Sequence, residues 1–252
     1  KPRVNGVAAI TIKEGDELLE AKLTNGESQI ILAVKSGKLV RFEETKTRPM
    51  GRTASGVRGI SLKDETDEVI GMVTVDKDDI NDTQILVVTE NGYGKRTKLV
   101  DEDGEDVYRI TNRGGKGVKT LNITEKTGKL ISISNVTDAD DLMIINKSGL
   151  TIRMAVEDLR VMGRATQGVK LINLKGNDSI AAVTKVMKDD VAEVVVDEDG
   201  NVIETEAIER VKPVLEVLED DGVEDDDDSD EEDEIEDDED SEEAGDEDDS
   251  DE

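Results

Sequence analysis

The apolar residues of this chain come in short blocks separated by turn-forming residues. Before residue 193 few of them take the three- and four-residue spacing of an amphipathic helix. The blocks recur in a fixed order. A Gly-Val pair stands at Gly6-Val7, Gly56-Val57, Gly117-Val118 and Gly168-Val169, at intervals of 50, 61 and 51 residues. Each pair leads into an alternating run: Ile10-Thr11-Ile12, Ile60-Ser61-Leu62, Leu121-Asn122-Ile123 and Leu171 to Leu174. A second run follows an acidic or glycine-containing turn, at Leu18-Leu19, Val69 to Val75, Leu130 to Ile133 and Ile180 to Val186. The third is an apolar tetrad: Ile31 to Val34, Ile85 to Val88 and Leu142 to Ile145. Ser36-Gly37, Asn91-Gly92 and Ser148-Gly149 then turn the chain into a fourth run. Such pairs predict hairpins, because glycine accepts the positive φ that tight turns require.

Four short strands in a unit of about 50 residues is the grammar of a bladed toroid, in which no unit buries both faces of its sheet alone. The expected fold is therefore all-β, a propeller-like array of four-stranded blades. Residues 1–192 hold about three complete blades and part of a fourth, and the first residues lie in mid-repeat, as in a piece of a longer protein. The longest interval is explained by an acidic insertion, Val100 to Asp106, placed in a surface loop.

The net charge of −32 misleads as an average. Residues 1–192 hold 30 basic and 30 acidic side chains, a net of zero, whereas residues 193–252 hold 2 and 34, a net of −32. With no cysteine and no histidine, thiolate nucleophiles, disulfides and Cys/His zinc sites are excluded. No apolar run reaches the length of a membrane span, and the lack of cysteine is compatible with a cytoplasmic location. Phe42, Tyr93 and Tyr108 are the only aromatics, too few for a base-stacking surface, so a nucleic-acid ligand would be a duplex held by its phosphates.

Basic residues keep register with the repeats. Four places after each hairpin glycine stands Arg41, Arg96 or Arg153. The loops before the Gly-Val pairs carry Arg48 and Arg52, Arg109 and Arg113, and Arg160 and Arg164. Directly after the pairs come Arg58, Lys119 and Lys170. Around Gly6 the pattern weakens: Arg3 sits one place nearer the glycine, and Ala8 replaces the base. A lone surface arginine is ordinarily a solvated charge. Whole columns on a repeated blade would form a periodic positive stripe, and the planar fork of arginine suits phosphate. Lys38, Lys95 and Lys116 complete the candidate DNA-binding set. No catalytic residue and no metal site is expected.

Asn91 to Arg96, Tyr108-Arg109, Asn112 to Lys119 and Arg160 to Val169 together resemble the C-terminal β-pinwheel of bacterial DNA gyrase, in its A chain, within the type IIA topoisomerases. The resemblance covers residues 1 to about 188. It implies a basic rim that wraps duplex DNA in support of ATP-dependent negative supercoiling by double-strand passage. It also implies a holoenzyme of two A and two B subunits, with ATP and Mg²⁺ used elsewhere than in this segment. The family's cleaving tyrosine follows an arginine. Tyr93 follows Gly92 and Tyr108 follows Val107, so neither fits, and Tyr108 is expected to be a packing residue. Residues 111–117, Thr-Asn-Arg-Gly-Gly-Lys-Gly, match five of the seven positions of the Gln-Arg-Arg-Gly-Gly-Lys-Gly box of gyrase, as a degenerate copy of a box expected upstream. Two alternatives stand beside this reading: the corresponding domain of topoisomerase IV, and a propeller scaffold for protein partners.

The period fades beyond about residue 188. Val194 to Val196 and Val202-Ile203 could form one more hairpin in a transition segment, 193–218. Residues 219–252 are almost wholly Asp, Glu, Ser and Gly, the composition of a disordered acidic tail. Joined to a body with basic columns, such a tail is expected to compete with DNA as a tethered mimic.

Overall fold

The computed structural model describes residues 6–187 together with Val195–Val196 and Val202–Ile203. The readings of 204–218 and of the acidic tail lie outside the described residues. Strands β1 (Gln29–Val34) and β2 (Lys38–Glu43) form the first hairpin, β4 (Gln84–Thr89) and β5 (Tyr93–Lys98) the second, and β8 (Asp140–Asn146) and β9 (Thr151–Ala155) the third. All three turn at a glycine with positive φ: 83° at Gly37, 82° at Gly92 and 88° at Gly149. Each apolar tetrad is the first strand of its hairpin, and its lack of alternation has a direct cause. Ile85 and Val87 enter one core with Ile31, Leu39 and Val73, while Leu86 and Val88 enter another with Leu142, Ile144 and Met154. A strand between two sheets is buried on both faces and reads as a continuous apolar run.

The repeat unit and the sheet are not the same object. Beyond the hairpins the strands are β3 (Val69–Val75), β6 (Val118–Lys119), β7 (Leu130–Val136), β10 (Val169–Lys170) and β11 (Ile180–Met187). The first sheet runs β3-β1-β2-β6, the second β10-β5-β4-β7 and the third β11-β8-β9. Each hairpin thus takes one neighbour from the next repeat and, in the first two sheets, the other from the repeat after that. Every pairing within these sheets is antiparallel. The described residues contain two four-stranded sheets and one three-stranded sheet. The pair β12 (Val195–Val196) and β13 (Val202–Ile203) stands apart as a two-stranded sheet. The last hairpin read from the sequence therefore pairs as expected without joining the third sheet.

Two further expectations are corrected. The alternating runs after Gly-Val are not ladder strands; the ladder residues are Val118-Lys119 and Val169-Lys170 themselves. The runs that follow act as core filler, with Ile60, Leu121, Leu171 and Ile172 buried. Leu18 and Leu19 form no strand and remain exposed. By the exchange rule, a second run serves the hairpin of the repeat before it, and no described hairpin occupies that place.

The exchanged strands approach so closely that glycine is obligatory. A Cβ on Gly117 (φ 72°) would lie 2.5 Å from the Leu39 carbonyl oxygen, and one on Gly168 (φ 78°) 2.6 Å from that of Gly94. Gly56 has φ 91° but nothing within 4 Å. Gly56→Ala should therefore carry only the left-handed backbone penalty of about 1–2 kcal/mol. Gly117→Ala should add roughly 1–3 kcal/mol of steric overlap. Urea unfolding of the two variants checks this, and equal losses would mean that the close approach is not real.

Candidate nucleic-acid interface

The loops bearing the arginine columns are fixed by backbone bonds that recur with the repeat. Thr11 N–H donates to Ala54 O (3.1 Å), Ser61 N–H to Gly115 O (2.9 Å) and Asn122 N–H to Thr166 O (3.1 Å). The loop residues next to Arg109 and Arg160 run parallel to the preceding hairpins, through bridges of Ile110 to Arg41 and Val161 to Arg96. Held this way, Arg48, Arg52, Arg58, Arg109, Lys116, Lys119, Arg160 and Arg164 are exposed, and Lys38, Arg113 and Lys170 are half-buried. In the Asn112–Gly117 stretch, Gly114 donates to Gly59 O (2.7 Å) and accepts from the Ser61 hydroxyl (2.6 Å), while Arg113 Nε reaches Lys46 O (3.2 Å). Lys38 and Lys119 are direct cross-strand partners.

Four of the fifteen candidates are not where a ligand could reach them. Arg41, Arg96 and Arg153, expected as an exposed column, are 1%, 6% and 6% exposed, and Lys95 is fully buried. Arg41 donates through Nε to Gln29 Oε1 (2.7 Å) and through Nη1 to Asp106 Oδ1 and the Tyr108 carbonyl (both 2.8 Å). Arg96 binds the carbonyls of Leu159 (2.6 Å) and Glu157 (3.2 Å) and pairs with Asp138. Arg153 Nε pairs with Asp141 Oδ2 at 2.7 Å, both side chains being buried. Lys95 Nζ donates to the carbonyls of Gly163 and Arg164 and to Thr166 Oγ1. For Arg41, Arg96 and Lys95 the reason is topological: this part of the hairpin strand lies under the loop of the following repeat, so the cation faces protein. The sequence does carry a signal of this burial. Twelve residues before each arginine a polar residue stands at the start of the hairpin's first strand: Gln29, Gln84 and Asp141.

Tyr108 is sealed in the core between the first two sheets, its hydroxyl 2.7 Å from Thr120 Oγ1, which agrees with a packing role. Burial raises its pKa above the ordinary value of 10.0. The unfolded chain then loses this proton first, so the stability contributed is complete below about pH 10 and falls as pH rises beyond it. Thermal melts between pH 9 and 11 should show this decline, and Tyr108→Phe should flatten it.

The sequence profile described as DNA gyrase C-terminal domain, beta-propeller, matches residues 5–25, 29–76, 83–137 and 140–187. The chain belongs to the DNA gyrase C-terminal domain family. The last three matched segments each open at a hairpin and close on the strand that the hairpin takes from the next repeat, β3, β7 or β11, so they follow the sheets rather than the Gly-Val repeats. Among curated relatives, the DNA gyrase A subunit of Staphylococcus aureus strain MRSA252 is 43% identical over 209 residues, covering 81% of this chain and 23% of that protein. That of strain NCTC 8325 is 45% identical over 185 residues, covering 73% and 20%. The chain thus spans about a fifth of the length of these relatives. Among solved structures, a DNA gyrase A C-terminal domain aligns with a TM-score of 0.62 at 26% identity, covering 73% of this chain and 59% of the other. A topoisomerase IV C-terminal domain aligns at 0.64 with 24% identity, over 72% and 53%, and shows the shared fold. No helix among the described residues is long and apolar enough to cross a membrane.

Proposed function

We propose that this chain binds duplex DNA through its phosphates and bends it, as the C-terminal part of a DNA gyrase A protein. The bent segment would serve ATP-dependent negative supercoiling by double-strand passage, in an assembly of two A and two B subunits at the nucleoid. The ATP and Mg²⁺ chemistry belongs to other parts of that assembly. One observation carries the reading: arginines at equivalent places in successive repeats stand exposed on loops held by the same backbone bonds. Relatives that are DNA gyrase A subunits, at 43% and 45% identity, favour gyrase over topoisomerase IV.

The test is to neutralise one exposed column, with Arg48, Arg109 and Arg160 all changed to Gln, and to measure affinity for a linear duplex at low salt. Binding should weaken at least tenfold, while the melting temperature stays close to that of the parent chain, because exposed charges contribute little to folding. Unchanged binding by a folded triple variant would remove this column as the binding surface, and a parent chain that does not bind duplex at low salt would favour a scaffold for protein partners.

A further inference from the structure

The buried cations lie directly against the loops that carry the exposed ones. Arg41 holds the carbonyl of Tyr108, the residue before Arg109, and its own carbonyl accepts from Thr111 N–H (2.8 Å). Arg96 holds the carbonyl of Leu159, the residue before Arg160, and its own carbonyl accepts from Met162 N–H (2.9 Å). Each buried arginine therefore brackets an exposed one from both sides. Lys95 does the same for Arg164, gripping the carbonyls of Gly163 and Arg164 and the Thr166 hydroxyl (3.1 Å). Arg153 is different. Its charge is met within its own sheet by Asp141, and among the described residues no loop from a following repeat bonds to it.

We infer that Arg41, Arg96 and Lys95 are positioning residues: buried cations that fix the attitude of the next repeat's exposed arginines toward phosphate. This rests on the DNA-binding reading above. The physical case is that a long arginine on an unrestrained loop would lose side-chain and loop entropy on meeting a phosphate. An arginine whose flanking carbonyls are already clamped has lost most of the backbone part beforehand. Lys95 gives the cleanest test, because the equivalent position in the neighbouring hairpins is apolar, Val40 and Ile152, and those hairpins fold. The carbonyls it would release belong to exposed residues and can bond to water.

The experiment measures duplex affinity over a salt series for the parent chain, Lys95→Ile, Arg164→Gln and the double variant, with Thr166→Val alongside. Thr166→Val removes one of the clamped acceptors without altering charge. Lys95→Ile should weaken binding several-fold and reduce the salt slope by about one, as Arg164→Gln does. The double variant should bind no more weakly than the poorer single one, and Thr166→Val should show a smaller loss in the same direction. Multiplying losses, or a Lys95→Ile chain that binds like the parent, would overturn the positioning role and leave DNA binding standing. A parent chain that ignores duplex DNA would overturn both. If Lys95→Ile fails to fold, Thr166→Val decides: full affinity in that variant counts against the inference.

Discussion

Arg153→Gln should be among the most damaging single substitutions in this chain, although sequence periodicity alone makes Arg153 equivalent to a surface phosphate contact. Its guanidinium and the Asp141 carboxylate are 7% and 0% exposed, 2.7 Å apart. Removing one partner takes away the ion pair that balances the other buried charge, which costs about 3–5 kcal/mol. In a body of this size that is a fall in melting temperature on the order of 10 °C. Asp141→Asn should act in the same sense. Replacing both together by apolar residues of similar volume should recover much of the loss, since the pair repays its own desolvation poorly. Arg160→Gln, on an exposed loop residue, provides the contrast and should stay within about 0.5 kcal/mol of the parent. Chemical unfolding of the four variants measures all of this. If Arg153→Gln were as stable as Arg160→Gln, the burial of the hairpin arginines would be wrong.

That contrast shows where the sequence was informative. Hairpins are local: their strands are joined by a turn whose residues announce it, and β1–β2, β4–β5 and β8–β9 fall where Ser-Gly and Asn-Gly place them. Strand exchange is non-local. Val118 pairs with Leu39, and Val169 with Gly94, across two repeat boundaries. Because the repeats are alike, a unit that closed on itself and a unit that donated its strands would produce the same pattern of apolar blocks. The exposed candidates were legible for a similar reason: they lie in glycine-rich loops, where backbone is expected at the surface. The hairpin arginines were misread because register reveals that positions are equivalent, not which way they face. Only a polar residue twelve places upstream distinguishes a buried cation from a solvated one, and Gln29 and Asp141 bond to their arginines. Asp141 in place of Gln29 and Gln84 carries a finer distinction. The first two arginines obtain a carboxylate from a later segment, Asp106 and Asp138, while the third has one in its own sheet.

DNA binding by this chain should collapse over a modest rise in salt. Eleven of the candidate cations remain exposed or half-exposed, Lys38 to Lys170, in loops and strand ends. Contacts to phosphate release condensed counterions, so log affinity should fall linearly with log salt, with a slope of about −0.9 per phosphate neutralised. If six engage, the loss between 50 and 200 mM salt is about a thousandfold. Bending a short duplex costs on the order of 1–6 kcal/mol, which only distributed contacts of this kind can offset. Sequence preference should be weak, because phosphate contacts carry no base information. The acidic residues add a second dependence of the same origin. Residues 193–252 bring a net charge of −32 to a neutral body, and a chain lacking 219–252 should bind more tightly at low salt, the gain shrinking as the Debye length falls below about 8 Å. Titrations of both chains against one duplex, from 25 to 300 mM salt, separate the two effects. A flat salt response in the intact chain would remove the wrapping function. Parallel lines of equal height for the two chains would remove only the competition by the tail.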